Sequence, residues 1–209
     1  GDCVSIGAAH WIHAIRYNMN MTVLLLDNNI YGLTKKQTSP TTPQGYKSNT
    51  HPGGSHLPAM NPLEATLGVT NASFVAQTAE WVPAHLFATL KAAHRHKGFS
   101  FVRILQRCPH FTPDLFQDAV KKPDTVEILT HPEGIVVEGL EKIYKNQIRH
   151  DPADIHRGRE LAEDATAVRL GLFFRDESRP RYEETSALPK RTAREKMELL
   201  NEDFDRYAV

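Results

Sequence analysis

The segment 27–41 carries the residues with the clearest chemical potential. Its sequence is Asp-Asn-Asn-Ile-Tyr-Gly-Leu-Thr-Lys-Lys-Gln-Thr-Ser-Pro-Thr, and it directly follows the apolar run 23–26. If that run is a buried strand, it delivers two amides and a glycine turn at Gly32 to one end of a sheet. Mg²⁺ binds oxygen ligands from side chains, carbonyls and phosphates, and glycine lets the backbone approach a phosphate closely. Together with the acidic glycine turn Gly1-Asp2, this pattern predicts a magnesium–diphosphate site.

A second block precedes this motif and supports the same interpretation. It consists of Gly1-Asp2, Ile6-Gly7, His10 and His13-Ala14. In this order, the two blocks resemble the thiamine-diphosphate-binding β subunit of 2-oxoacid:ferredoxin oxidoreductases, most closely the 2-oxoglutarate type. The resemblance extends from residue 1 to about residue 185 and is tightest over 1–42 and 97–111.

The start of the motif departs from the family's pattern, which opens Gly-Asp-Gly-Asp. This chain opens Gly1-Asp2-Cys3. Either Asp2 is the metal carboxylate and Cys3 replaces the second glycine, or the chain begins inside the motif. The spacing to Ile6-Gly7 favours the second alternative, which puts the metal-binding aspartate before residue 1. We therefore expect a chain that lacks the N-terminal part of the family's subunit and holds its cofactor poorly alone.

The resemblance assigns cofactor-binding roles to residues of both blocks. The amide oxygen of Asn28 and the backbone carbonyl of Ile30 would bind Mg²⁺. Gly1-Asp2 would contact the diphosphate, and Gly32-Leu33 the other side of the cofactor. Two simpler interpretations stay open, because Asn28 can bond its own backbone in a turn and Gly32 can be an ordinary left-handed turn residue.

Lys35 is the candidate substrate-binding residue. By the same resemblance, its ammonium group would pair with the distal carboxylate of 2-oxoglutarate in a partly desolvated pocket. The alternative is a solvent-exposed loop lysine. The next residue, Lys36, departs from a glycine that is common at this place in the family.

Cys108 is the candidate ligand of an iron–sulfur cluster. In the run 105–109, Leu-Gln-Arg-Cys-Pro, it resembles the fourth thiolate ligand of the family's [4Fe–4S] cluster. In the family the other three ligands lie upstream of the thiamine motif, and the second cysteine of this chain, Cys3, lies beside that motif. Taken alone, a single cysteine before proline is more typical of a buried structural thiol.

The resemblance implies an enzyme subunit that acts on 2-oxoacids. The expected reaction is oxidative decarboxylation of a 2-oxoacid, with 2-oxoglutarate favoured, to acyl-CoA and CO₂. Electrons would pass through the [4Fe–4S] cluster to ferredoxin, and the reverse reaction would fix CO₂. Thiamine diphosphate and Mg²⁺ are the other expected cofactors. The catalytic glutamate is expected from a partner α subunit, in a heterodimer or a dimer of heterodimers.

Two other functions stay open at this point. One is a thiamine-diphosphate-dependent decarboxylase or synthase without iron–sulfur chemistry, which would need neither Cys108 nor the run 33–35. The other is a truncated, non-catalytic chain that keeps only the surface for its partner.

Composition limits the partners and the location expected for the protein. The chain has 209 residues with 25 basic and 25 acidic side chains, so no net charge favours nucleic acid or an anionic membrane. No apolar run approaches the length of a membrane span, and the start lacks the pattern of a secretion signal. Two cysteines are too few for a disulfide framework, which predicts a reducing, cytoplasmic location.

Periodicity predicts an α/β fold with a mainly parallel sheet flanked by helices, which suits thiamine diphosphate binding. Over 1–111, the expected cofactor domain, helices are predicted at 7–19, 62–67 and 83–96, strands at 21–27, 72–78 and 100–106, and a loop at 35–62. The strand 21–27 is expected to be buried on both faces, because its apolar run does not alternate. The segment 112–209 is expected to be a largely helical extension for packing and subunit contact. Its predicted elements are helices at 134–149, 155–165 and 190–205 and a short apolar segment at 168–175.

Overall fold

Eight strands and seven helices occupy residues 1–185 and 191–207, which are the residues described by this computed structural model. The strands are β1 (Met21–Asp27), β2 (Ile30–Tyr31), β3 (Gln37–Thr38), β4 (Phe74–Ala79), β5 (Phe99–Leu105), β6 (Val126–Thr130), β7 (Asn146–Arg149) and β8 (Val168–Arg175). The helices are α1 (Ala8–Tyr17), α2 (Pro62–Gly68), α3 (Pro83–Arg95), α4 (Gln117–Lys121), α5 (Ile155–Glu163), α6 (Tyr182–Thr185) and α7 (Ala193–Tyr207). Across these described ranges, no helix is both long enough and apolar enough to cross a membrane.

Six of the strands form one mixed sheet in the order β1-β5-β4-β8-β6-β7. Strands β1, β5 and β4 are parallel, β8 is antiparallel to β4, and β6 and β7 run parallel to β8. The remaining strands, β2 and β3, pair as a small hairpin directly after β1. The predicted α/β fold with a mainly parallel sheet is confirmed. Because β1, β5 and β4 are parallel, the segments that follow them meet at one edge, where open α/β sheets bind ligands.

Helices cover both faces of the main sheet because each of these helices has one apolar side. On one face, Trp11 of α1 packs with Phe101 of β5 and Phe173 of β8. The ring centroids of Trp11 and Phe101 are 5.4 Å apart. On the other face, Ala93 of α3 packs with Phe74 of β4. Burial of each large side chain of this kind contributes roughly 2–3 kcal/mol, so these contacts fix the sheet against its helices.

The elements predicted between residues 7 and 106 are confirmed to within a few residues, but the burial of β1 is not as expected. This strand lies at the edge of the sheet, where Leu24 and Leu26 are 43% and 58% exposed. The prediction that it is buried on both faces is therefore wrong for the described chain. An apolar run shows that a strand can be buried, but only its neighbours decide whether it is.

The helix predicted over 134–149 is wrong. In its place the structure has a 3₁₀ turn at Leu140–Lys142 and the strand β7. Gly139 has a φ of +81°, a left-handed conformation that interrupts any helix at this point. The expectation of a largely helical extension is wrong for the same region, because β6, β7 and β8 join the main sheet.

The strands on either side of residue 112 share one sheet, so the proposed boundary there does not separate two sheets. The helices predicted at 155–165 and 190–205 correspond to α5 and α7, although residue 190 lies outside the described residues. The apolar segment at 168–175 is β8. The role of 112–209 in subunit contact stays a prediction.

A histidine lies in the interface between α3 and the sheet. His85 is fully buried, and its Nδ1 lies 2.9 Å from the hydroxyl oxygen of Thr78 on β4. Its Nε2 is buried without a hydrogen-bond partner among the described residues. Burial disfavours the charged imidazolium and lowers the pKa of His85 from 6.5 to about 4. The native state therefore keeps this side chain neutral.

This burial predicts a loss of stability in mild acid. Between pH 6.5 and about 4 the unfolded chain binds a proton at His85 that the folded chain does not, so stability falls as pH falls through this window. Between pH 7 and 4 the wild type should lose about 3 kcal/mol more of its free energy of unfolding than His85→Gln. Urea denaturation of both proteins at several pH values measures the difference. Parallel curves for the two proteins would show that His85 does not titrate this way.

Candidate cofactor site

Asp27, at the carboxyl end of β1, organises the start of the motif. The side chain is 5% exposed. One carboxylate oxygen, Oδ1, accepts hydrogen bonds from the Thr41 hydroxyl at 2.6 Å and the Asn29 backbone N–H at 3.1 Å. The other, Oδ2, lies 2.6 Å from Nη2 of Arg103 on β5. One buried carboxylate thus fixes the turn after β1, the segment around Thr41 and the neighbouring strand.

The turn at 27–30 has the self-bonding geometry that the sequence left open. The amide oxygen of Asn28 accepts a hydrogen bond from the Ile30 backbone N–H at 3.2 Å. Asn29 adopts a left-handed φ of +58°, and its carbonyl accepts the Thr42 hydroxyl at 2.6 Å. An amide oxygen has two lone pairs, so the bond from Ile30 leaves one on Asn28 for a metal ion. The turn therefore holds this oxygen in place and leaves one of its lone pairs available.

The run that continues the motif forms the tip of the β2–β3 hairpin. Lys35 and Lys36 both adopt left-handed φ values, +67° and +66°. The Asn49 backbone N–H donates to the Lys36 carbonyl at 2.9 Å, and the Asn49 side chain donates to the Lys35 carbonyl at 2.5 Å. Leu33 is 99% exposed and makes no core contact. The hairpin thus presents Leu33 and Lys35 to the outside of the chain in a backbone conformation held by Asn49.

Gly32 lies between two residues that the sequence separates widely. Its φ is not in the left-handed range, so it is not the left-handed turn residue that the sequence allowed. A Cβ atom added there would lie 3.9 Å from Nδ2 of Asn28, 4.0 Å from Sγ of Cys108 and 3.6 Å from the ring of Phe111. The predicted magnesium ligand and the predicted cluster ligand are therefore neighbours across one glycine.

The first residues of the chain lie against the same hairpin. A Cβ atom on Gly1 would be 2.0 Å from Cε1 of Tyr31, so a larger residue here would require the ring to move. Asp2 is exposed and begins a 3₁₀ turn, and its backbone carbonyl accepts the Gly7 N–H at 2.8 Å. The acidic glycine turn and the motif thus meet in space, as the sequence predicted. A cavity of about 500 Å³, lined in part by Tyr31 and Ser5, adjoins this contact.

Cys108 is a free, half-buried thiol at the start of the segment after β5. Its carbonyl accepts the Thr112 N–H at 2.9 Å, and the Thr112 hydroxyl reaches the Asn28 carbonyl at 3.3 Å. Nearby, the Tyr46 hydroxyl donates to Asp114 at 3.0 Å; burial and this bond to the carboxylate raise the pKa of Tyr46 to about 12. The tyrosine therefore stays neutral, and these bonds fix the segment that carries the thiol.

The donor atoms near these residues limit which metal groups the chain can hold. Within residues 1–185 and 191–207, no group of three or more His, Cys, Asp or Glu side chains is placed to bind one metal ion. Cys3 is also a free, half-buried thiol, but it packs against the core beside α1. An iron–sulfur cluster needs four such ligands, so the described residues do not fit a complete [4Fe–4S] site.

Sequence reasoning missed the residues that hold the site together. Asp27 lies within the motif but was given no role, and Arg103, Thr42 and Asn49 were not candidates. The sequence did contain a signal for Arg103, because a charged residue within a mostly apolar strand such as β5 must find a partner. The contacts made by Thr42 and Asn49 depend on the path of the loop and have no comparable signal in the sequence.

Comparison with known proteins agrees with this fold. Residues 1–104 match the family described as thiamine pyrophosphate enzyme, C-terminal TPP binding domain. The chain is 43% identical over 127 residues to the 2-oxoglutarate oxidoreductase subunit KorB of Mycobacterium tuberculosis, a match that covers 61% of this chain and 34% of that protein. It is 32% identical over 192 residues to the 2-oxoacid:ferredoxin oxidoreductase subunit beta of a Sulfolobus species, covering 88% of this chain and 58% of that protein.

A solved structure supports the same relationship. It is the 2-oxoglutarate:ferredoxin oxidoreductase from Magnetococcus marinus with 2-oxoglutarate, coenzyme A and succinyl-CoA bound. The TM-score is 0.76 at 31% sequence identity, with 96% of this chain and 64% of that chain covered. In both curated matches above, the chain spans less than two thirds of the length of its relative.

The fold and the family match make residues 1–104 similar to the class of thiamine pyrophosphate-binding enzyme domains. Within that class the chain is a homologue of the β subunits of 2-oxoacid:ferredoxin oxidoreductases, which are oxidoreductases. The resemblance inferred from its sequence is confirmed.

The strained tip of the hairpin gives a test of this geometry. A left-handed conformation costs a residue with a Cβ atom about 1 kcal/mol relative to glycine. The free energy of unfolding of Lys36→Gly should therefore be about 1 kcal/mol higher than that of Lys36→Ala, because alanine retains the strain. Both variants lose the contact of the Lys36 ammonium over the Tyr46 ring, so this contact cancels in the comparison. Equal urea midpoints and slopes would mean that residue 36 is not held left-handed.

Proposed function

We propose that this chain forms part of the β subunit of a 2-oxoacid:ferredoxin oxidoreductase and contributes to its thiamine diphosphate site. The observation that carries the proposal is the convergence of Asn28, Gly32 and Cys108. The Asn28 amide group and the Cys108 thiol both lie within about 4 Å of a Cβ built on Gly32, and the backbone of Gly32 does not itself require glycine.

The residues of the motif are of the types that bind Mg²⁺ and a diphosphate. Mg²⁺ prefers six oxygen ligands, several of them from phosphate or water. Asn28 would supply its amide oxygen and Ile30 its backbone carbonyl, while Gly1-Asp2 and Gly32-Leu33 would line the cofactor. The Oδ1 atom of Asn29 is buried without a partner among the described residues, which adds an unused oxygen beside the turn. When bound, thiamine diphosphate supplies the electron sink for decarboxylation.

Cys108 is proposed as one thiolate ligand of a [4Fe–4S] cluster. Its Sγ lies beside Gly32, so a cluster bound to this sulfur would lie next to the cofactor. The described residues supply one suitable thiol here, so the remaining ligands must come from elsewhere in the assembled enzyme. The chain by itself is not expected to assemble the cluster.

The reaction proposed for the whole enzyme is conversion of a 2-oxoacid, with 2-oxoglutarate favoured, to acyl-CoA and CO₂. The relatives are named for this chemistry, and the related solved structure holds 2-oxoglutarate, coenzyme A and succinyl-CoA. Lys35, exposed at the hairpin tip, would pair with the distal carboxylate of the substrate. An α subunit would supply the catalytic glutamate and cover the exposed hairpin. Ferredoxin would accept the electrons in the cytoplasm.

Removal of the proposed metal ligand tests the cofactor site. In the complex with the α subunit, Asn28→Ala should weaken Mg²⁺-dependent binding of thiamine diphosphate by roughly tenfold or more. Asn201→Ala, on the exposed face of α7, is the matched control and should bind as the wild type does. Titration calorimetry with thiamine diphosphate in the presence and absence of Mg²⁺ measures both. Equal affinities for all three proteins would remove the metal role from Asn28.

Lys35 gives a separate test of substrate choice. Loss of one charge-assisted hydrogen bond costs about 1.5–3 kcal/mol, so Lys35→Gln should raise KM for 2-oxoglutarate about tenfold or more. KM for pyruvate, which has no distal carboxylate, should stay within about twofold because that bond is not formed with it. Steady-state assays with both substrates and ferredoxin separate the two effects. A parallel rise in both KM values would contradict a specificity role.

A further inference from the structure

A line of buried and partly buried polar contacts crosses the main sheet from the candidate site. Arg103 on β5 donates from Nε and Nη2 to Oδ2 of Asp27 on β1, at 2.8 and 2.6 Å. Its third nitrogen, Nη1, donates to Gln77 on β4 at 3.3 Å, and Gln77 donates to the Arg169 carbonyl on β8 at 2.8 Å. These three contacts join four adjacent strands below the turn that carries Asn28.

We propose that Arg103 is a positioning residue for the cofactor site, acting through Asp27 on the turn that presents Asn28. This inference rests on the proposed function, because it assigns Arg103 to the same site. Arg103 itself lies within the strand and does not reach the motif except through the Asp27 carboxylate.

The argument begins with the two oxygens of Asp27. Oδ1 accepts the backbone N–H of Asn29 and the hydroxyl of Thr41, so the direction of this oxygen sets the turn. Oδ2 is occupied by the guanidinium of Arg103, which fixes the rotation of the whole carboxylate. Without that cation, a carboxylate that is only 5% exposed would be buried without a charge partner among the described residues, and it would turn toward solvent.

The shape of the guanidinium explains why an arginine serves this purpose. Its planar fork places two donors on Asp27 and a third on Gln77, so the side chain cannot rotate without breaking contacts on both strands. Gln77 is in turn fixed by the Arg169 carbonyl. A lysine could supply the charge but not this orientation.

Amide hydrogen exchange tests the positioning without any cofactor. In Arg103→Met, protection of the Asn29 amide should fall by at least about tenfold relative to amides that exchange only by global unfolding. The matched control is Arg169→Met, which removes another buried arginine of the same sheet, one paired with Glu127 and Asp164. It should change global stability but leave the relative protection of Asn29 unchanged.

Cofactor affinity in the complex with the α subunit provides the second measurement. Loss of a residue that orients a metal ligand typically lowers affinity about 10- to 100-fold, so Arg103→Met should weaken Mg²⁺–thiamine diphosphate binding by that factor. The double variant Asp27→Asn/Arg103→Gln restores a neutral hydrogen-bonded pair and should recover most of the Asn29 protection and of the affinity. Arg169→Met should bind the cofactor as the wild type does.

The outcomes separate this inference from the proposed function. Equal relative loss of Asn29 protection in Arg103→Met and Arg169→Met would overturn the positioning role. Unchanged cofactor affinity in Arg103→Met would overturn it as well. If the wild-type complex does not bind thiamine diphosphate, the proposed function fails. The role of Arg103 in holding the turn would then still stand if Asn29 loses protection in Arg103→Met but not in Arg169→Met.

Discussion

The buried ion pair between Asp27 and Arg103 is the interaction on which the candidate site depends. It joins β1 to β5 at the edge of the sheet where the motif begins. A buried carboxylate is stable only when its charge and its hydrogen-bonding capacity are both satisfied, and here a cation, a hydroxyl and a backbone N–H satisfy them. The turn after β1 therefore has one preferred conformation, which is fixed by Arg103 of the sheet and by Thr41, both through the Asp27 carboxylate.

The site above this ion pair is assembled from segments far apart in the chain. Gly1 packs on Tyr31, and Gly32 separates Asn28 from Cys108. A Cβ on Gly1 would strike the Tyr31 ring, whereas a Cβ on Gly32 would make ordinary contacts with both side chains. The left-handed residues of the hairpin are instead Lys35 and Lys36, where the carbonyls are held by Asn49.

The sequence predicted the first half of the fold well and the second half poorly. α1 was predictable because its apolar residues recur at helical spacing, and β1 because a short apolar run of this length is typical of a strand. β6 and β7 were obscured because 126–130 and 146–149 are short and 134–149 carries apolar residues at helical intervals, which Gly139 interrupts. Cys108 and Asn28 were predicted as ligands separately. Their proximity could not be derived, since it depends on β5 lying beside β1.

The sequence by itself indicated the class of protein, through the resemblance of the ordered residues in 27–41 to the motif of a known family. It also predicted Asn28, Ile30 and Cys108 as ligands of a metal ion or cluster. Only the tertiary structure decided that β1 is an edge strand, that Leu33 is exposed, and that Asp27 is held by Arg103. The physical reason is that motifs are local, whereas burial and charge pairing depend on which strands become neighbours when the chain folds.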